Sequence, residues 1–304
     1  VWISRLSPEQ ADDVRALAAR AAASDGTEPL NEEAHFALRD DAALHLLSRD
    51  GDALAGYLQW QPGYGTAQLV VDPAHRRQGV GRGLVDQLEA ALRDGRSSLP
   101  AAQGAGAGGW AVWAFGDLPA AQGFAAALGW APSRGLLVME RGLGDVTPPR
   151  LPEGFTVRGY VESDVEEFLA VNAAAFAHHP EQGALDATGL AARAAEPWFD
   201  PDGLLLGFDA GGLAGFHWTK LVGAVGEVYV LGVAPRAQGR GYGTVLLQAG
   251  LFHLREAGAD HVVLYVDMAE PVAVRMYESA GFHVAHRDVL YASEHGSVQK
   301  REQP

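Results

Sequence analysis

Apolar and polar positions repeat one succession of elements in the two halves of the chain. Patterns of helical period predict an early helix over 8–23 and again over 164–176, each followed by a second helix or turn region. Two strands are expected next, over 44–48 and 53–60 in the first half and over 204–209 and 213–220 in the second. A further strand then leads into a long amphipathic helix, over 83–93 and 244–257. Another strand (111–114; 261–266), a short helix and a last strand complete each half. This order predicts an α/β (α+β) architecture, a mixed twisted sheet flanked by helices. Between the halves, 142–154 carries Pro148, Pro149 and Pro152, which cannot continue a helix or a central strand. The expected domains are therefore 1–145 and 153–304. A stretch rich in Gly, Ala and Ser at 95–109 predicts a flexible loop.

The halves also share a motif. In the first, Leu69, Val70 and Val71 lead through Pro73 to Arg77, Gln78, Gly79, Val80, Gly81 and Arg82. In the second, Leu231, Gly232 and Val233 lead through Pro235 to Gln238, Gly239, Arg240, Gly241, Tyr242, Gly243 and Thr244. Val71, Pro73, Gly79 and Gly81 recur 162 positions later as Val233, Pro235, Gly241 and Gly243. Leu128-Gly129-Trp130 is echoed by Ala280-Gly281-Phe282 at an offset of 152, and the 95–109 stretch can supply the difference. A glycine turn from strand to helix suits an anion. The first helical turn has unpaired N–H donors and the positive end of the helix dipole, and glycine lets backbone approach a phosphate. Arg236 and Arg240 add charge beside the second turn. Dinucleotide-binding and P-loop folds fit less well, because neither fingerprint follows a strand here.

Composition narrows the chemistry. With 23 basic and 38 acidic residues the formal charge is −15, which disfavours nucleic acid and welcomes a small amine. There is no cysteine, which removes disulfides, thiolate catalysis and cysteine-ligated zinc, and fits a reducing cytoplasm. His178-His179-Pro180-Glu181 lacks the spacing of a metalloprotease helix, so no metal is expected. No basic region followed by an apolar run opens the chain, and no stretch reaches the roughly 20 apolar residues of a membrane span. A cytoplasmic monomer without nucleic-acid or membrane partners is expected.

Glu227 lies six residues before Val233 on the motif strand, where a period of two puts it on one face with Tyr229 and Leu231. A carboxylate there can take a proton from an amine. Tyr277 lies in the helix before Gly281, as a core tyrosine or as a proton donor. At the two repeat offsets the first half has Gly65 and Ala125 in place of Glu227 and Tyr277, so it keeps the turn and lacks both proton-transfer groups.

The motif, with Tyr277 and Gly281-Phe282 downstream, resembles the GNAT superfamily of acetyltransferases, and the resemblance covers both halves. It implies two tandem GNAT folds, with acetyl-CoA as cosubstrate held by the residues of both motifs and by Val272 and Arg275 along the pantetheine arm; it further implies Glu227 as base, Tyr277 as acid toward the leaving thiolate, and a backbone N–H near Leu231 to Val233 on the carbonyl oxygen. Ala174 to Gly183, Glu196 to Gly203, Gly215 to Lys220 and Gly226 to Val230 resemble more narrowly the mycothiol synthase family. That likeness implies acetylation of the cysteinyl amine of 1-D-myo-inositol 2-(L-cysteinylamino)-2-deoxy-α-D-glucopyranoside. It also implies that Glu32, Glu181, Lys220, Glu227 and Tyr265 contact this substrate. Acetylation of another small amine, or coenzyme A binding without catalysis, are the alternatives. One departure is Glu270-Pro271, where the superfamily often has an asparagine.

Overall fold

Ser7 starts the first helix by accepting from Gln10 N while the Gln10 side chain accepts from Ser7 N, a reciprocal cap that satisfies two otherwise unpaired donors. Pro8 fixes the first helical φ and Gly26, at φ +75°, ends the helix in the left-handed region. The computed structural model describes residues 1–93, 109–177 and 180–293, without the side chains of Pro180 and Glu181. The stretch at 95–109 expected to be a loop lies outside the described residues, save Gly109.

Contacts divide the chain into two units, Val1–Gly135 with the segment from Arg287 onward, and Leu136–His286. In the first half the elements are α1 (Pro8–Asp25), α2 (Glu32–Phe36), β1 (Leu44–Asp50), β2 (Ala53–Gln61), β3 (Thr66–Val71), α3 (Val80–Arg93), β4 (Ala111–Ala114), α4 (Pro119–Leu128) and β5 (Ala131–Gly142). In the second they are β6 (Thr156–Gly159), α5 (Val165–Ala175), α6 (Pro180–Gly183), α7 (Ala187–Ala194), β7 (Leu204–Asp209), β8 (Gly212–Val222), β9 (Val225–Val233), α8 (Tyr242–Glu256), β10 (His261–Asp267), α9 (Pro271–Ser279) and β11 (His283–Ala292).

In the first unit β1, β2 and β3 pair antiparallel, β3 pairs parallel with β4, and residues 289–292 of β11 complete the sheet beside β4. The second unit runs β6, β7, β8 and β9 antiparallel, then β10 parallel to β9, and residues 136–142 of β5 antiparallel to β10. The closing strand of each unit thus comes from the other half of the sequence. The expected bounds of 1–145 and 153–304 differ from these units for that reason. Once two halves are repeats, their last strands are interchangeable, which is the condition for swapping an element. Asp117 fixes the borrowed strand in the first unit: buried, it accepts from Arg287 Nη2 at 2.6 Å and from Tyr291 Oη at 2.8 Å.

Both sheets carry helices on their two faces. Leu17 and Val14 of α1 cover one side of the first sheet, and Leu84, Val85 and Leu88 of α3 the other. In the second unit Phe168 of α5 packs with Phe216 and Trp218, while Leu247, Leu251 and Leu254 of α8 pack with Val228 and Val262. Among the described residues no helix is long and apolar enough to cross a membrane.

Candidate active site

In both units the parallel pair separates after a few rungs. β9 meets β10 only from Val225 to Glu227, and β3 meets β4 only at Thr66 and Ala67. Beyond these rungs the motif strand leaves its neighbour, opening a wedge that points toward the glycine turn. Leu231, Gly232 and Val233 lie on the freed end of β9, as Leu69, Val70 and Val71 do on β3.

The two turns have the same backbone. Ala234 N donates to Ala214 O at 2.9 Å and Asp72 N to Ala55 O at 2.9 Å, and each strand then enters a short 3₁₀ turn. Gly239 and Gly241 sit at φ +75° and +80°; at the equivalent places Arg77 and Gly79 sit at +63° and +86°. Arg77 holds a left-handed conformation that costs an L-residue roughly 1–2 kcal/mol, so the turn is kept even where glycine is not. Within α8 the first amide bond runs from Val245 N to Gly241 O, which leaves the amides of Tyr242, Gly243 and Thr244 without an intrahelical acceptor. In α3 Gly83 N bonds Gly79 O and frees Val80, Gly81 and Arg82 in the same way.

In the first unit Arg77, Gly79, Val80, Gly81 and Arg82 join Leu69, Val70 and Val71 along a cleft of about 470 Å³. Gln78 turns back instead, donating to Ala74 O at 3.0 Å. In the second unit Thr244, Val272 and Arg275 line a groove of about 380 Å³ between α8 and α9. Glu270 precedes that helix as its cap residue, and Pro271 opens it. The expectation that Arg236 adds charge beside the turn needs correction. Its guanidinium is held by Asp209 at 2.8 Å and by the carbonyls of Gly212 and Leu213, so it staples the β7–β8 hairpin. Arg240 reaches the same carboxylate only at 3.4 Å and is half-exposed. Gln238 donates to Val233 O at 3.3 Å.

A β-bulge separates the two copies. In β9, Val228 pairs with Thr219 and Val230 with Trp218, leaving Tyr229 as an extra residue. Tyr229 and Val230 therefore share the α5 side of the sheet with Glu227, and Leu231 turns to the α8 side, where it packs on the cluster that includes Leu246. Glu227, Tyr229 and Leu231 do not share one face, as strict alternation had suggested. The first unit has no such irregularity between β2 and β3. The bulge also moves the repeat by one: the partner of Glu227 across β8 is Lys220, that of Thr66 across β2 is Gln61, and the counterpart of Glu227 is Thr66 rather than Gly65. Thr66 Oγ1 donates to Gln61 Oε1 at 3.4 Å, and Gln61 Nε2 to Gln59 Oε1 at 3.0 Å. Gln59 in turn donates to Ala34 O of α2 at 3.1 Å. A buried neutral amide chain thus stands where the second unit has an ion pair.

That ion pair joins Lys220 Nζ and Glu227 Oε2 at 3.5 Å, with the side chains 15% and 20% exposed. The ammonium lies 5.1 Å from the ring centre of Trp198 and 5.2 Å from that of Tyr229. Phe216, Trp218 and Lys220 share one face of β8, and Arg193 of α7 donates to Tyr229 Oη at 2.8 Å. Trp198 and Arg193 were not among the expected site residues: Trp198 lies in the 196–203 string that carries the family likeness, Arg193 lies outside it, and only folding brings both onto β8 and β9.

Tyr277 is buried in α9 against Phe282, their rings edge to face at 5.8 Å. Burial pushes its phenol above the ordinary tyrosine range, so it holds its proton throughout neutral pH. Phe282 N bonds Tyr277 O at 3.0 Å just as Trp130 N bonds Ala125 O at 3.0 Å, which makes Ala125 its counterpart. Tyr265 of β10 is 54% exposed. Glu32 is the first residue of α2, capped by Asn31. Glu181 falls in α6, but its side chain lies outside the described residues.

Comparison with known proteins fits this geometry. Residues 11–115 and 173–282 match the Acetyltransferase (GNAT) family, so each half carries a copy. A mycothiol acetyltransferase of Rhodococcus jostii is 45% identical, the match covering 96% of this chain and 97% of that protein. The chain belongs to the mycothiol acetyltransferase family. Another member, from Frankia alni, is 44% identical over 95% of this chain and 93% of its own. Among solved structures, a GCN5-related N-acetyltransferase from Sphaerobacter thermophilus superposes with a TM-score of 0.72 at 25% identity, covering 96% of this chain and 95% of that one. A tandem GNAT protein from the clavulanic acid biosynthesis pathway gives 0.70 at 20% identity, over 96% and 97%. Membership makes the chain a tandem GNAT acetyltransferase.

Proposed function

We propose that the second unit transfers the acetyl group of acetyl-CoA to the cysteinyl amine of 1-D-myo-inositol 2-(L-cysteinylamino)-2-deoxy-α-D-glucopyranoside, giving mycothiol. The first unit binds acetyl-CoA without turnover. The observation that carries this reading is the Lys220–Glu227 pair at the last rung before β9 and β10 part, matched by the neutral Gln61 and Thr66 in the first unit.

The residues present fit coenzyme A. Glycine at positive φ in the second turn, with three amides beyond it lacking an intrahelical acceptor, is a cradle for a diphosphate. Bound acetyl-CoA supplies the acetyl group as a thioester. Glu227 takes the proton of the incoming ammonium, whose pKa of about 7.7–8.0 requires only a modest base. An amide at the freed end of β9, between Leu231 and Val233, holds the carbonyl oxygen. Tyr277, protonated because it is buried, donates to the departing sulfur. Lys220 is placed on the substrate side with Glu227, and proposed contacts of Glu181 and Tyr265 extend that side. Transfer is direct, without an acyl-enzyme, with which the absence of cysteine agrees.

Incubation with acetyl-CoA and a panel of amines tests the reading. Cysteinyl-glucosaminyl-inositol is expected to be acetylated at the highest kcat/KM. Preference for a simple amino sugar or amino acid would favour the broader reading of a small-amine acetyltransferase, and no transfer to any amine would remove catalysis altogether.

A further inference from the structure

Tyr277 and Ala125 hold the same place in the two copies, and the exchange alters more than proton transfer. In the second unit the Tyr277 ring fills a place in the core, in one buried cluster with Phe282, Met139 and Leu264. In the first unit that ring is missing. The first cleft is lined by its glycine turn and also by Val112, Ala125, Trp130 and Tyr291. These four belong to the buried core of the unit, whereas Arg77 and Arg82 at the turn are exposed. The cleft therefore runs from a polar mouth to a buried, largely apolar end.

The neighbours do not refill the vacated place. Trp130, the counterpart of Phe282, is held edge to face by Trp110 at 5.1 Å and by Phe124 at 6.0 Å, and the cleft still opens on Ala125. Tyr291 arrives on β11 opposite Val112 and donates its hydroxyl hydrogen to Asp117 Oδ1 at 2.8 Å. Its phenol is thus committed to that carboxylate, and its ring forms part of the wall. Hydrocarbon and ring surface at this end suits a saturated chain, whereas a polar acyl tail would be buried without compensation.

We infer that the first unit takes coenzyme A thioesters of saturated acyl chains longer than acetyl, of three or four carbons, with the chain ending against Ala125, Trp130 and Tyr291. This inference rests on the reading of the first unit as a coenzyme A site. With the diphosphate on the first turn, the thioester sulfur lies beside Ala125, as it lies beside Tyr277 in the second unit. An acyl chain on that sulfur borders the space that the phenol leaves, and each added methylene goes from water into it.

The test uses the full chain with the second cradle disabled. Gly243→Glu places a carboxylate at the second turn, where the added Cβ meets Met276 Sδ at 3.5 Å and Val233 at 3.6 Å, ordinary contacts, and the charge repels a diphosphate. Calorimetric titration of this variant with acetyl-, propionyl- and butyryl-CoA then reads the first site alone. Each added methylene is expected to tighten binding about fourfold, the worth of burying one CH₂ group, so butyryl-CoA binds about tenfold tighter than acetyl-CoA or better. In the wild type, native mass spectrometry is expected to show the same order for one of two bound equivalents. Adding Ala125→Leu, which refills the vacated place, is expected to abolish the preference for butyryl over acetyl; if that variant does not fold, Ala125→Val carries the comparison. The inference is overturned if affinity stays level or falls along the series, or if the preference survives substitution of Ala125. Failure of the underlying reading looks different: coenzyme A without an acyl group then binds the wild type at one equivalent per chain and Gly243→Glu at none.

Discussion

Replacing Glu227 by glutamine preserves volume and one carbonyl oxygen toward Lys220, and removes the charge. The ion pair it deletes is 3.5 Å long with both side chains partly solvated, so its contribution to stability is about 1 kcal/mol or less. The melting temperature should move by no more than about 2–4 °C. The loss in catalysis should be far larger, about 10²–10⁴-fold in kcat/KM for the amine, the usual worth of a positioned base. Its pH dependence carries the diagnosis. At pH 6.5 an amine of pKa about 7.7–8.0 is almost wholly protonated and needs the carboxylate, whereas at pH 9 it is already neutral. The deficit of Glu227→Gln relative to wild type should therefore shrink about tenfold or more between these pH values. Product should be followed by mass spectrometry, because the cysteinyl substrate has a thiol that confuses assays of released coenzyme A. Activity within threefold of wild type at pH 7, or a deficit that does not change with pH, would refute the assignment.

Tyr277→Phe should lower kcat about 10²-fold or more and leave KM for acetyl-CoA unchanged. Because burial raises the phenol's pKa, the acid form persists as pH rises, and wild-type kcat should hold to pH 10; a fall there with an ordinary tyrosine pKa would contradict the burial argument. Installing Thr66→Glu and Ala125→Tyr together in a Glu227→Gln background should not restore turnover, since β3 lacks the bulge and β2 has Gln59 and Gln61 at the register positions of Trp218 and Lys220. Recovery to within tenfold of wild type would show that side chains alone decide. Asp117→Ala should cost about 2 kcal/mol, after discounting the half-exposed Arg287, and lower the melting temperature by several degrees; an unchanged denaturation midpoint would mean that the borrowed strand does not depend on this carboxylate.

The fold class was legible because its signals are local: the alternating strands, the amphipathic helices after each glycine turn, and the twin motifs all report on neighbouring residues. The glycine turns were legible for the same reason, since positive φ and unpaired helix amides follow from residue type and position. Three things were hidden. The exchange of β5 and β11 leaves no trace in either strand, because each would suit its own unit equally well. The β9 bulge adds one residue without altering the hydrophobic pattern, so alternation carried Leu231 to the wrong face and the repeat offset selected Gly65 instead of Thr66. The contacts of Trp198 and Arg193 were hidden although Trp198 falls in the 196–203 string, because both residues lie more than 20 positions before β9 and meet it only through the tertiary fold.

If each glycine turn cradles coenzyme A, as proposed, and only the second unit moves protons, an isotope-trapping experiment reads the stoichiometry directly. Enzyme saturated with labelled acetyl-CoA is mixed with the amine and a large excess of unlabelled acetyl-CoA, and the label captured in the first turnover is counted per chain. Two labelled thioesters bound and at most one acetyl group trapped is the expected result. Two trapped groups per chain, or a single bound equivalent of acetyl-CoA, would contradict it.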